Sequence, residues 1–123
     1  MVGYTTMGTS DLGRAVGFYD ALLGEFGGQQ LMKSDRLVMW GKEGGGGMFA
    51  ICIPFDEKAP SPGNGAMVAF SMDSPADVDR FHAKGIELGG TDEGAPGDRM
   101  PGAYFAYFRD LDGNKICAYK IGG

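Results

Sequence analysis

The feature of the sequence that most constrains its fold is a pattern that runs twice. Tyr4 and Met67 lie 63 positions apart, and each opens a β-prone stretch. Met7 and Phe70 share that offset, and so do Phe18 and Phe81, each in the middle of a helical periodicity. In the first half, Tyr4 to Thr9 is short and β-prone, and Ser10 or Asp11 supplies an N-cap. Leu12, Ala15, Val16, Tyr19, Leu22 and Leu23 then recur at helical spacing before Gly24, which predicts a helix over 11–23. Gln29 to Lys33 and Leu37 to Lys42 read as strands about a Ser34-Asp35 turn. Met48 to Ile53 is another strand, after the glycine run Gly44 to Gly47.

The second half repeats the order. Ala66 to Met72 alternates like a strand, and Ser74-Pro75 starts a helix, with Pro where its missing N–H does least harm. Val78, Phe81, His82 and Ile86 mark that helix's apolar stripe. Thr91 to Gly102 is rich in Gly and Pro, with room for a short strand. Tyr104 to Arg109 and Lys115 to Ile121 are strands joined by Asp110-Leu111-Asp112-Gly113-Asn114. Asp-Gly is a strong hairpin signal, because Gly takes a positive φ at little cost. The order is therefore β-α-β-β-β twice: a module at 1–54, a proline-bearing linker at 55–65 and a module at 66–123. Such a half is thin. Two of them set edge to edge make an α+β domain, a curved mixed sheet whose concave face forms a cup.

Charge narrows the partners. The net charge is −5 and no basic run offsets it, so nucleic acid and anionic membrane are excluded as expected partners. No apolar run approaches the ~18 residues of a membrane span, and no basic stretch leads into an apolar one as in a signal peptide. Two cysteines, Cys52 and Cys117, make no disulfide framework; the expectation is a reduced, cytoplasmic protein.

Three stretches carry a family likeness. They are TSDLGRAVGFYDALLG at 9–24, PGNGAMVAFSM at 62–72 and RDLDGNKICAYK at 109–120. In order and spacing they resemble the vicinal oxygen chelate superfamily, which includes glyoxalase I, extradiol dioxygenases and the fosfomycin and bleomycin resistance proteins. The resemblance covers essentially the whole chain. It implies the paired-module cup, and in many members a divalent metal held by His or Gln on the first strand, His at the start of the second module and Glu on the last strand. Open coordination positions on that metal take neighbouring substrate oxygens. Here those positions fall on Tyr4, Met67 and Cys117, and a fourth used by some members falls near Ile51 or Cys52. The chain has a single histidine, His82, on the second helix. The expectation is a cup without the metal and without another cofactor.

The candidate site residues follow. Tyr4, Trp40, Phe49, Met67, Met100, Tyr104 and Cys117 are the expected ligand pocket, within a wider Met- and aromatic-rich set that includes Met39, Met48, Phe105 and Tyr107. Alternation sends some of these under the helices as plain core. Tyr4 either donates a hydrogen bond to a ligand or fills the vacated metal volume. Cys117 and Cys52 are either ligands for a soft metal, with Met67, or small buried hydrophobes. Arg99 either meets an anionic ligand group or is a surface loop charge. His82 is either a base or a plain residue of a surface helix, whose Asp79 and Lys84 read as a solvated face, and Asp110 to Asn114 reads as a turn rather than a calcium loop. What the resemblance implies is a homodimeric module similar to bleomycin resistance proteins, binding a small, partly aromatic molecule. On net charge alone a cationic ligand would be favoured. The alternatives are a divergent glyoxalase-like lyase or isomerase that polarises a carbonyl with Tyr4 or Arg99, and a relative that binds nothing.

Overall fold

In the computed structural model, which describes residues 1–122, each half of the chain folds about one helix laid on one four-stranded sheet. Two compact units result, Met1–Pro62 and Gly63–Gly123.

The first unit runs β1 (Tyr4–Gly8), α1 (Leu12–Gly24), β2 (Gln29–Lys33), β3 (Leu37–Gly41) and β4 (Met48–Cys52). The Asp11 carboxylate caps α1 by accepting from the Arg14 N–H at 3.1 Å. Ala15, Phe18, Tyr19, Leu22 and Leu23 then form its buried stripe. The sheet order is β1-β4-β3-β2, with β1 and β4 parallel and the other pairs antiparallel. β2 is an edge strand exposed at every residue.

The second unit repeats the plan with β5 (Val68–Ser71), α2 (Pro75–Glu87), β6 (Thr91–Met100), β7 (Ala103–Arg109) and β8 (Lys115–Ile121). Its order, β5-β8-β7-β6, again has one parallel pair, β5 with β8. Ser74 caps α2 through the Asp77 N–H at 3.2 Å, and Pro75 follows in the first turn. Val78 and Phe81 are fully buried against the sheet. Both units are βαβββ modules of α+β class, as the repeat implies.

The largest departure from the sequence reading is β6. A Gly- and Pro-rich stretch with a short strand was expected, and a ten-residue strand is found. It pairs with β7 through three register shifts, at Glu93, at Ala95-Pro96 and at Arg99, while Gly94 and Gly97 keep partners in β7. An edge position permits this, because one side of the strand needs no partners for its N–H groups. The β7–β8 turn is as expected. Gly113 takes φ 85°, and Asp110 Oδ1 accepts from the backbone N–H of Asp112 and of Asn114, both at 2.9 Å. That carboxylate is committed to the turn, which accounts for Asp110 without a calcium ion. Among the described residues, no helix is long and apolar enough to cross a membrane.

Candidate functional site

Each sheet has one face under its helix and one face free of it, and strand alternation assigns every side chain. In the first unit, Tyr19 of α1 lies 5.8 Å from the Trp40 ring and 4.9 Å from that of Phe49. Val38 and Ile51 alternate onto the same side, and Thr5 and Met7 join them as register partners of Phe49 and Ile51. The helix-free face therefore carries Tyr4 and Thr6, Met48, Ala50 and Cys52, and Leu37 and Met39. This corrects the expectation for Trp40 and Phe49. Both are core beneath α1, 2% and 4% exposed, and the Trp40 indole N–H donates to Asp20 Oδ1 at 2.8 Å.

In the second unit, Phe81 of α2 packs on Phe70 and Phe108, with ring centroids 5.3 and 5.9 Å away. Val68, Ile116, Ala118 and Ala106 lie on that side by register. So does Tyr104, whose hydroxyl donates to Asp79 Oδ1 of α2 at 2.6 Å. Tyr104 thus ties β7 to α2, a second correction to the expected pocket. Asp79 is exposed, as expected of a solvated face, and it also accepts this bond from the sheet. The Asp79 carboxylate raises the Tyr104 phenol above its ordinary pKa.

The helix-free face of the second sheet carries the most organised cluster. Tyr107 and Phe105, two apart on β7, have ring centroids 6.2 Å apart and planes 21° from parallel. Phe105 is the cross-strand partner of Tyr119 on β8, at 5.5 Å and 19°. The three half-buried rings form one near-parallel row. Two cations lie against its end. Arg99 Cζ is 5.5 Å and Lys115 Nζ 5.1 Å from the Tyr107 centroid. Arg99 is held by its own strand, donating to the carbonyls of Gly97 at 3.0 Å and Ala95 at 2.8 Å. Gly94 makes room for this. A Cβ there would sit 2.9 Å from Tyr107 Cδ2 and 3.2 Å from Arg99 Nη2. Among the described residues neither Arg99 nor Lys115 pairs with a carboxylate, whereas nearby Arg109 is neutralised by Glu93 at 2.6 Å.

The positions on which the resemblance places a metal sit on these helix-free faces. Tyr4 is 55% exposed on the first sheet. Met67, exposed, immediately precedes β5 and alternates onto the side of Ala69. Cys117 faces the same side from β8 but is wholly buried. Burial pushes its thiol up to about 11, against the opposing pull of Lys115 and Arg99. A thiol held neutral is a poor ligand, and phenol and thioether are poor donors for a hard divalent ion. Among the described residues, no group of three or more His, Cys, Asp or Glu could hold a metal ion. Ile51 points under α1, and Cys52 supplies no carboxylate in its place. The donor set does not fit the family's usual metal.

Two further expectations find their places. Met100 is exposed at the end of β6, paired with Ala103. His82 is buried rather than solvated, with Nε2 3.0 Å from Asp92 Oδ1 and its ring edge-on to Phe108. It ties α2 to β6 on the helix side, away from the aromatic row. Tyr119 and Lys115 were absent from the expected pocket. The signal for both was present, since they flank Cys117 at two residues' spacing on one strand.

Residues 2–118 match the family model for the Glyoxalase/Bleomycin resistance protein/Dioxygenase superfamily. A glyoxalase/bleomycin resistance protein from Albidiferax ferrireducens T118 is similar in structure, with a TM-score of 0.86 and 39% identity over 95% of each chain. A glyoxalase/bleomycin resistance protein/dioxygenase family enzyme from Burkholderia phytofirmans PsJN has a TM-score of 0.79 at 18% identity, over 97% of each chain. Lactoylglutathione lyase from Agrobacterium tumefaciens has a TM-score of 0.72 at 23% identity, over 97% of this chain and 92% of that one. The last two likenesses concern the fold alone. No curated protein matches significantly. With the model spanning nearly all of it and a close structural relative at that identity, the chain belongs to the Glyoxalase/Bleomycin resistance protein/Dioxygenase superfamily.

Proposed function

We propose that this protein is a binding module. It holds a small, partly aromatic molecule on the helix-free face of its second sheet and does so without a divalent metal. The observation that carries this reading is the row Tyr107–Phe105–Tyr119. A row of half-buried rings offers apolar area that a planar ligand can lie against, and aromatic contact with two of them contributes on the order of 1–3 kcal/mol beyond area burial. Met67 and Met100 add exposed, adaptable thioethers to the same unit. The likeness to bleomycin resistance proteins implies a homodimer, and the two free cysteines fit a reducing, cytoplasmic setting.

A lyase or isomerase reading has less behind it. Arg99 is engaged with a ring and two carbonyls, an arrangement suited to holding charge rather than moving a proton.

The test uses chelator-treated protein and the neutral fluorescent probe N-phenylnaphthylamine. Saturable binding is expected without metal, and Phe105→Ser should weaken it about tenfold or more. Binding that appears only after Zn, Ni, Mn or Fe(II) is restored would overturn the metal-free reading. Probe affinity untouched by Phe105→Ser would remove the aromatic row from the site.

A further inference from the structure

We infer that the molecule bound on this face carries an anionic group beside its aromatic ring, a carboxylate, and that Arg99 and Lys115 read it. The inference rests on the binding role proposed above and names the chemistry of its ligand.

The charge of the patch is opposite to that of the whole chain. The protein is acidic, with a net charge of −5, yet the aromatic row ends in two cations and no carboxylate is paired with either. Three carboxylates of the same unit face or bind other groups. Glu93 binds Arg109 at 2.6 Å, Asp79 accepts from Tyr104 on the helix side, and Asp98 is the register partner of Tyr104 and so belongs to that side as well. Cations against a ring at little more than 5 Å keep much of their charge available, because a π face returns less than a carboxylate does.

Geometry narrows the ligand further. Arg99 donates one N–H from each terminal nitrogen to its own strand, to Gly97 and Ala95. That fixes the plane of the guanidinium while leaving donors free, since the group has five. A fixed guanidinium beside a point-charge ammonium suits a planar, two-oxygen acceptor. A ring laid against Phe105 with its carboxylate directed along the row toward Tyr107 would bring that group to both cations. The apolar row alone would accept any flat molecule. The cations would then discriminate against cationic ones, through repulsion and through the cost of covering two charges without an acceptor.

The test compares three probes of one shape on the full chain by titration calorimetry: naphthoate, naphthamide and naphthylmethylammonium. Naphthoate is expected to bind about tenfold more tightly than naphthamide, with the ammonium weakest. Arg99→Gln and Lys115→Gln should each narrow the naphthoate-to-naphthamide ratio, and added salt should narrow it too. Equal binding of naphthoate and naphthamide overturns the anion inference and leaves the binding role standing. So does a ratio that neither substitution changes. Tightest binding of the ammonium overturns it in the opposite direction. Failure of all three probes to bind overturns the inference together with the binding role.

Discussion

His82 Nε2 lies 3.0 Å from Asp92 Oδ1, and the same oxygen accepts the Gly94 N–H at 2.9 Å. The backbone bond, with the histidine bond behind it, holds the Asp92 carboxyl below its ordinary pKa. A carboxyl depressed in the fold stabilises it above the unfolded value and loses that contribution as pH falls through the folded value. The contribution should therefore be intact at neutral pH and fade below about pH 4. Thermal melts across that range should show wild type losing stability more steeply than Asp92→Asn. Parallel pH profiles for the two proteins would show that the pair carries no acid dependence.

Gly85 meets the Phe108 ring so closely that a Cβ would fall 2.6 Å from Cζ and 2.8 Å from both Cε atoms. Phe108 is 1% exposed and packed against Phe81, so it has nowhere to retreat. In an open helix Gly→Ala would stabilise, by roughly 1 kcal/mol. Here overpacking dominates, and Gly85→Ala should destabilise by about 1–3 kcal/mol in denaturant unfolding. A stabilised variant would mean that α2 lifts off the sheet at little cost.

These two pairs mark where the sequence could be read and where it could not. The repeat was legible because helical and strand periods are local. Tyr4 opens β1, and Met67 stands immediately before β5. The bounds of β8 match the pattern at both ends. Faces were not legible. Met39 and Trp40 are equally apolar, and alternation separates them without saying which one the helix covers. That is decided by Tyr19 meeting Trp40 across the unit. Tyr104 was misplaced for the same reason, since its partner Asp79 is 25 residues away. β6 was hidden because Gly94, Pro96 and Gly97 read as loop, and only its edge position lets them stand in a strand.

Trp40 offers a check on the face assignment. It lies under α1, bonded to Asp20 and close to Tyr19, so it should report folding rather than binding. Trp40→Phe keeps an aromatic ring but removes volume and leaves Asp20 without the indole donor. A loss of roughly 1–3 kcal/mol is expected, with N-phenylnaphthylamine affinity as in wild type. A large loss of affinity in a variant that still folds would return Trp40 to the ligand site.

Cys117 should be chemically silent in the native protein. It is wholly buried, its thiol is pushed up to about 11, and the sulfur donates to the Ala118 carbonyl at 3.6 Å. A thiol with that value leaves about one part in ten thousand as thiolate at neutral pH, and burial bars reagents from that fraction. Cys52 is partly exposed, so it is the thiol that should react. A disulfide reagent at neutral pH should therefore titrate one equivalent in the folded protein and two in denaturant. The sign with pH is fixed. A thiol raised in the fold stabilises it fully below the unfolded value and loses that contribution as pH rises through about 11. Alkaline melts should accordingly show wild type losing ground to Cys117→Ala, which has no thiol to ionise. Two fast equivalents in the native state would instead show that the sheet face above Cys117 is open to solvent.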